Sequence, residues 1–127
     1  MTGMEENPKP LRGRPYDLEE RTFLFAKEIR DLVKRLPKTV GNLEDMRQLV
    51  RASGSVGANY IEANESVSRK DFLLRIKTCR KEAKESAYWL RLLDCAGRSE
   101  LETPRGGLVK EASELMNIFA AILRKSE

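Results

Sequence analysis

Residues 68–95 read SRKDFLLRIKTCRKEAKESAYWLRLLDC and carry the clearest helical pattern of the chain. Ser68 precedes the pattern and Asp71 follows three residues later, a spacing typical of a helix N-cap and its capping-box partner. Gly97 is a natural stop at the other end. The apolar and small residues recur every three or four positions, which predicts one buried helix face: Phe72, Ile76, Cys79, Ala83, Ser86, Ala87 and Leu90.

The positive charge of the chain is concentrated in the same segment. Residues 67–96 hold eight Lys or Arg and four Asp or Glu, and this difference equals the whole formal net charge of +4. At about 100° per residue, six of the cations fall within roughly one third of the helix circumference, and Tyr88 lies among them. We call these six residues the basic ridge: Lys70, Lys77, Arg80, Lys81, Lys84 and Arg91. A helix that needs only solubility more often mixes the two signs, so the ridge indicates a surface that meets a polyanion.

The bulk composition describes one charge-dense helical domain. The chain has 127 residues, of which 35% are charged and 6% aromatic, a profile that favours helices over strands. No apolar run approaches the ~20 residues that a membrane-spanning helix needs. The first residues lack the basic-then-apolar order of a secretory signal. We therefore expect a cytoplasmic location and no contact with a membrane.

The sequence offers no ordinary metal, cofactor or catalytic site. It contains no histidine and two cysteines, Cys79 and Cys95, which lie on one predicted helix. Because a helix rises ~1.5 Å per residue, these thiols would be roughly 24 Å apart, too far for a disulfide or a shared zinc ion. Cys79 falls on the apolar face and is best interpreted as a small core residue.

The remaining patterns divide the chain into a short arm and three further helices. Residues 1–15 contain three prolines and two glycines, which predicts a flexible arm. Asp17 with Glu20 predicts a capping box at the start of the first helix, and Thr103 followed by Pro104 predicts the start of the last. Residues 16–125 are therefore predicted to form an all-α, antiparallel up-down four-helix bundle, with helices at about 17–36, 42–66, 68–95 and 105–124.

The second predicted helix is unusual because its inner face contains small residues. Helical spacing gives this face as Leu43, Met46, Val50, Ser53, Gly54, Gly57 and Ile61. Glycine inside a helix costs about 1 kcal/mol relative to alanine, so two glycines favour a close crossing with another helix. The alternative is a break near residues 51–54 that divides the element in two.

Seven large apolar residues lie outside the predicted inner faces: Phe23, Leu24, Val56, Tyr60, Leu74, Trp89 and Leu92. Apolar surface of this extent usually marks an interface, which predicts a homo-oligomer. The alternative is that the predicted faces are rotated by one position and that these residues reach the core.

Two segments resemble the bacterial four-helix-bundle family named after 23S rRNA intervening sequences. Residues 53–63, SGSVGANYIEA, are similar to the family's S-x-G-A-N-x-x-E-A segment. Residues 68–93 resemble its next helix through Ser68, Asp71 with Phe72, and the run EAKESAYWL, in which Ser86 stands where the family commonly has Thr. With the Tyr16-Asp17-Leu18 start, the likeness covers about residues 16–93 strongly and the last helix weakly.

This resemblance implies an antiparallel four-helix subunit that assembles as a ring-shaped homopentamer. One relative, the accessory protein of diversity-generating retroelements, binds nucleic acid and a partner reverse transcriptase through a basic surface. For most members, including those encoded within ribosomal RNA insertions, the role is unknown. Nothing in the matched residues indicates that this chain serves a retroelement.

Four polar residues on the second and third helices form a further candidate cluster: Asn59, Glu62, Glu82 and Glu85. Paired carboxylates can act as acid and base or hold a metal, but di-metal bundles typically recruit histidine, which is absent. Hydrogen bonds and ion pairs between helices or subunits are therefore favoured. The arginines that could bind these groups are Arg51, Arg75 and Arg80.

Three classes of function fit these residues. We favour a non-enzymatic oligomeric adaptor that binds the phosphates of RNA or DNA through the basic ridge, with Tyr88 as a stacking platform for a base. The second class is a protein–protein scaffold without nucleic-acid binding, whose ridge binds an acidic partner or a neighbouring subunit. An enzyme comes third, because no Ser or Cys has a recognisable base beside it.

Overall fold

The computed structural model describes residues 17–126, which form four helices and no strand. The helices are α1 (Leu18–Val33), α2 (Val40–Asn64), α3 (Arg69–Leu92) and α4 (Ser99–Ser126). The all-α prediction is thus confirmed for this part of the chain. The arm predicted at residues 1–15 lies outside the described residues.

One apolar core runs between the four helices. Each helix contributes side chains at spacings of three and four residues, as an amphipathic helix requires. The largest fully buried side chains are Leu18, Phe25, Ile29 and Leu32 from α1, Leu49 and Val56 from α2, Ile76 and Leu90 from α3, and Leu101, Leu115 and Phe119 from α4. Because these α3 residues point inward, the opposite side of α3 must face outward.

Side-chain caps set two of the helix starts. Ser68 Oγ accepts a hydrogen bond from the Asp71 N–H at 3.1 Å, so the cap predicted for α3 is confirmed. Thr39 Oγ1 accepts one from the Asn42 N–H at 3.1 Å, which begins α2 at Val40 instead of Asn42. Asp17 makes no side-chain cap to α1, so the capping box predicted there is wrong.

The start of α4 was also predicted wrongly. The helix begins at Ser99, and Pro104 lies inside it. Proline has no N–H for the carbonyl four residues earlier, which belongs to Glu100. The guanidinium of Arg35 donates to this carbonyl instead, at 2.8 Å. A side chain of the first helix region therefore replaces the backbone bond that the proline removes.

The end of α3 is held by two polar side chains from neighbouring helices. Buried Asn42 donates from Nδ2 to the carbonyls of Pro37 and Asp94, at 3.0 and 2.9 Å, and accepts from the Asp94 N–H at 2.9 Å. Arg105 donates to the carbonyls of Leu90 and Leu93 at 3.2 and 2.8 Å, which satisfies the open end of the helix. Since α3 ends at Leu92, Cys95 lies in the connection and not on the helix as predicted.

The second helix is continuous, which excludes the predicted alternative of a break near 51–54. Its inner face, however, is rotated relative to the prediction: Leu43 and Ile61 are exposed, whereas Asn42, Leu49 and Val56 are buried. The close crossing occurs at Gly57, where an added Cβ would lie 3.0 Å from Thr22 Oγ1 and 3.3 Å from Thr22 Cβ on α1. The rotated-face alternative therefore applies to α2.

A buried ion pair joins α1 to α4. Arg21 donates from Nε to Glu111 Oε2 at 2.7 Å and from Nη2 to Glu111 Oε1 at 2.9 Å. Its Nη2 also donates to Glu114 at 2.8 Å. Both side chains of the Arg21–Glu111 pair are only 5% exposed. Hydrogen bonding to Glu111 raises the pKa of Arg21, so this guanidinium stays charged.

Replacing Gly57 with alanine tests the close crossing, because alanine favours the helix but its methyl group would crowd Thr22. Thr22 Oγ1 is buried and hydrogen-bonded to the Leu18 carbonyl at 2.7 Å, so it has little freedom to move away from a new methyl group. We expect Gly57→Ala to lower the free energy of unfolding measured in urea. Gly106→Ala, at a helical position with no neighbour within 4 Å of the added Cβ, should raise it by about 0.5–1 kcal/mol. Equal stabilisation by both substitutions would contradict a close crossing at Gly57.

Removing one partner of the buried pair leaves an uncompensated charge. We expect Arg21→Met to lower the free energy of unfolding by about 3 kcal/mol, and the double variant Arg21→Met with Glu111→Leu to recover most of this loss. The control is Arg98→Met, which removes an exposed ion pair with Glu100 and should change stability by less than about 1 kcal/mol. A double variant as unstable as Arg21→Met alone would show that the buried charge is not the cause.

Candidate nucleic-acid interface

The outer side of α3 carries the basic ridge. Its inner stripe is fully buried at Ile76, Cys79, Ala83 and Leu90. All six ridge residues are exposed: Lys70, Lys77, Arg80, Lys81, Lys84 and Arg91. The packing of α3 therefore fixes the ridge on the surface of the four-helix fold.

The ridge is not neutralised by its own helix. Among residues 17–126, none of its six side chains forms an ion pair within 4 Å of a carboxylate. The two glutamates in the middle of α3 face α2 instead, where Arg51 Nη2 lies 3.9 Å from Glu82 and 3.8 Å from Glu85. The acids and the ridge cations of α3 thus occupy different sides of the helix.

Four ridge residues surround one surface depression. Lys77, Arg80, Lys81 and Lys84 line a hollow of about 310 Å³, and Met116 of α4 completes it. Residues 103–126 contain two carboxylates, Glu111 and Glu114. Both are bound by Arg21 of α1. The positive field of the hollow is therefore not offset from the α4 side, and clustered uncompensated cations are the geometry that attracts anions.

An exposed aromatic ring lies among the ridge cations. Tyr88 is 55% exposed. Its ring meets that of Trp89 nearly edge to face, with centroids 5.0 Å apart and an interplanar angle of 77°. Trp89 is half-buried and packs against the core, so the Tyr88 ring contacts a side chain that is itself held in place. The ring for which the sequence predicts a stacking role is therefore exposed.

The predicted polar cluster divides into two separate groups, one around Arg75 and one around Arg51. Arg75 donates to Asn59 Oδ1 at 2.9 Å, and Arg51 lies between Glu82 and Glu85. Glu82 is only 6% exposed, and its Oε1 accepts no hydrogen bond among the described residues. Glu62 is exposed and lies outside both groups, and Arg80 belongs to the ridge and not to the cluster. Two of the three predicted arginine partners are thus found.

The seven residues predicted at a subunit interface have different environments. Phe23, Leu74 and Leu92 are exposed, while Leu24, Tyr60 and Trp89 are half-buried, and the Tyr60 ring lies 6.1 Å from that of Phe119. Val56 is 0% exposed, so its assignment to an interface is wrong. The reason is the rotation of α2: a face drawn through Asn42, Met46, Leu49, Ser53 and Val56, at spacings of three and four, places Val56 in the core.

The described residues contain no metal centre or reactive thiol. Within 17–126, no group of three or more Cys, Asp or Glu is placed to hold a metal ion. Burial raises the pKa of the Cys79 thiol to about 12 and also raises the pKa of Cys95, so both remain protonated at neutral pH. Cys79 lies in the core, as predicted. In the same part of the chain, every helix is too short or too polar to cross a lipid bilayer.

Comparison with known proteins gives a family for this fold. Residues 16–119 match the family model described as 23S rRNA-intervening sequence protein. No curated protein matches the chain. A solved structure that is similar comes from Bacteroides thetaiotaomicron VPI-5482 and is a protein of unknown function from the S23 ribosomal protein family. The two chains are 27% identical, with a TM-score of 0.71 over 87% of this chain and 97% of that one.

The family match extends from the start of α1 to the last turns of α4. It includes α1, α2, α3 and most of α4, and with them the basic ridge and the segment around Gly57 and Asn59. The resemblance predicted from the two sequence segments is therefore confirmed, and it reaches further along the chain than those segments did. This protein belongs to the 23S rRNA-intervening sequence protein family.

Proposed function

We propose that this protein is a cytoplasmic, non-enzymatic adaptor that binds the phosphates of RNA or DNA through the basic ridge of α3. The observation that carries the proposal is the set of six exposed cations on one helix face, none of which has an ion-pair partner among residues 17–126. Binding a polyanion lets such cations displace its condensed counterions, which is the main source of affinity for nucleic acids.

The residue types of the ridge suit phosphates better than base edges. Four of its six members are lysines, which act as point charges, whereas bidentate reading of bases favours arginine, asparagine and glutamine. From Lys70 to Arg91 the ridge extends ~32 Å along the helix, at ~1.5 Å per residue. That length spans several successive phosphates of a nucleic-acid strand. We therefore expect binding with little dependence on base sequence.

We further propose that the subunit is an antiparallel up-down bundle that assembles as a homopentameric ring. Contacts between α1 and α2 support an antiparallel direction. Asn64 donates a hydrogen bond to Glu19, and Thr22, which follows Glu19 in α1, lies against Gly57, which precedes Asn64 in α2. Exposed Leu74 and Leu92 lie five helical turns apart on the same side of α3, which supports a lengthwise contact with another subunit. Five chains of net charge +4 would together carry +20, a charge that a polyanion can neutralise.

A protein partner for the same face is the second candidate. Leu74 and Leu92 are exposed apolar residues close to the ridge, and such a mixture of apolar and basic groups also suits an acidic protein surface. A reverse transcriptase is one such partner, as the resemblance implies for one relative. In this case the protein would capture its partner and leave RNA and DNA unbound.

Charge reversal in the hollow tests nucleic-acid binding. We expect the triple variant Lys77→Glu, Lys81→Glu and Lys84→Glu to lower affinity for labelled RNA and DNA oligonucleotides by more than about tenfold in fluorescence anisotropy. The plot of log affinity against log salt should become shallower by about 2–3, since three phosphate contacts are lost.

The matched control for this variant reverses three exposed lysines elsewhere, Lys27, Lys34 and Lys110, and so makes the same change in net charge. This control should keep most of the affinity. Equal losses in both triple variants would mean that only net charge matters, and full binding by the ridge variant would exclude the ridge as the site.

The assembly is tested by light scattering coupled to size exclusion. We expect about five subunits for the unaltered chain, as the resemblance implies. Leu74→Arg with Leu92→Arg should dissociate it, because two charges would enter an apolar contact. Leu43→Arg, at an exposed leucine of α2, is the control and should leave the subunit number unchanged. A monomer at micromolar concentration would refute the assembly while leaving phosphate binding open to its own test.

A further inference from the structure

Resting on the proposed function, we propose that the basic ridge selects single-stranded nucleic acid by stacking an unpaired base on Tyr88 while ridge cations hold the neighbouring phosphates. Attraction to phosphates alone does not distinguish single strands from duplexes, because both carry phosphates. The tyrosine adds a contact that only one of them can satisfy.

The position of Tyr88 on α3 places cations on both sides of its ring. Lys84 lies four residues before Tyr88 and Arg91 three residues after it. Residues at these spacings are surface neighbours on a helix, with Cβ atoms about 5–6 Å apart. Neither cation has an ion-pair partner among residues 17–126. A base that stacks on the ring therefore has a cation available for the phosphate on each side of its sugar.

The ring of Tyr88 is exposed but not loose. Trp89 packs against the core and meets Tyr88 nearly edge to face, at 5.0 Å and 77°. In such a contact the edge of one ring meets the face of the other, so at least one face of Tyr88 stays uncovered by Trp89. A side chain that is already supported loses less conformational entropy when a ligand binds it. Tyr88 is thus a preorganised surface and not only a solvated side chain.

A duplex cannot use this surface. In a double helix the faces of each base are covered by the bases above and below, and only base edges are accessible in the grooves. Stacking on Tyr88 therefore requires a base that is unpaired or pulled out of the stack, which has its own energetic cost. Single strands offer base faces directly, and base–aromatic stacking tolerates every base. The selection predicted here is for strandedness and not for sequence.

This selection is tested by measuring the affinity of the full chain for a labelled single strand and for the duplex of the same sequence in fluorescence anisotropy. We expect Tyr88→Ala to lower single-strand affinity by about tenfold, a typical loss for one stacked base, and to leave duplex affinity unchanged. Tyr88→Phe should bind as the unaltered chain does. Tyr88→Leu should behave like Tyr88→Ala, because it keeps an apolar side chain but has no ring. The salt dependence should be the same in all of them, since stacking releases no counterions.

Phe23→Ala is the matched control, because Phe23 is an exposed ring on α1 that is 58% exposed, close to the 55% of Tyr88. It should not change affinity for either ligand. If Tyr88→Ala weakens single strand and duplex equally, or neither, stacking is refuted while the charge-reversal result still decides phosphate binding. If Tyr88→Ala changes the subunit number in light scattering, Tyr88 is an assembly contact and the inference is also refuted. If no nucleic acid binds even the unaltered chain, the proposed function itself fails.

Discussion

Burial of the apolar stripe of α3 fixes which residues of that helix can meet another molecule. Ile76, Cys79, Ala83 and Leu90 are fully buried, and because a helix repeats every 3.6 residues this stripe sets the direction of every other side chain. The ridge cations are directed to the outer surface and towards α4, while the mid-helix glutamates are directed towards Arg51 of α2. The separation of charge on α3 is therefore a consequence of its packing register.

The ridge cations also lack ion-pair partners on α4, and this depends on the ion pairs that Arg21 forms elsewhere in the fold. Glu111 and Glu114 are the carboxylates of residues 103–126, and both bind Arg21 across the seam between α1 and α4. These ion pairs join α1 to α4, and they direct both carboxylates towards α1 and away from α3. A chain with a net charge of only +4 can thus present a strongly positive local surface, because attraction depends on where the charges lie.

The sequence predicts α3 well because its apolar spacing, its N-cap and its charge pattern all agree, as in the confirmed contact between Ser68 and Asp71. The sequence predicts the wrong inner face for α2, because it places the apolar residues Leu43 and Ile61 inside although both are exposed. The residue that is buried next to Leu43 is polar Asn42, which forms hydrogen bonds with the backbone of Asp94. The start of α4 fails for a related reason, since Arg35 donates to the Glu100 carbonyl that Pro104 leaves without a backbone donor. Such compensation comes from residues far away in sequence, which local patterns do not contain.

The spacing of the ridge residues in the sequence is enough to identify them. That they lack ion-pair partners among residues 17–126, and that Met116 lies beside them, becomes known only when the helices are packed together.

In the proposed ring, assembly and ligand binding would affect each other through the geometry of α3. At about 100° per residue, Leu74 and Leu92 lie roughly 20° around the helix from Lys81, 40° from Tyr88 and 60° from Lys77. A subunit that packs on these leucines would contact the edge of the ridge at Lys81 and leave the side that carries Arg80, Lys84 and Arg91 open, so each seam would carry a row of cations. Like charges placed along seams oppose association, and this repulsion is weakened by salt and by any bound polyanion. Nucleic acid would therefore stabilise the assembly that displays the ridges, and the assembly would in turn increase the effective concentration of ridges along one strand.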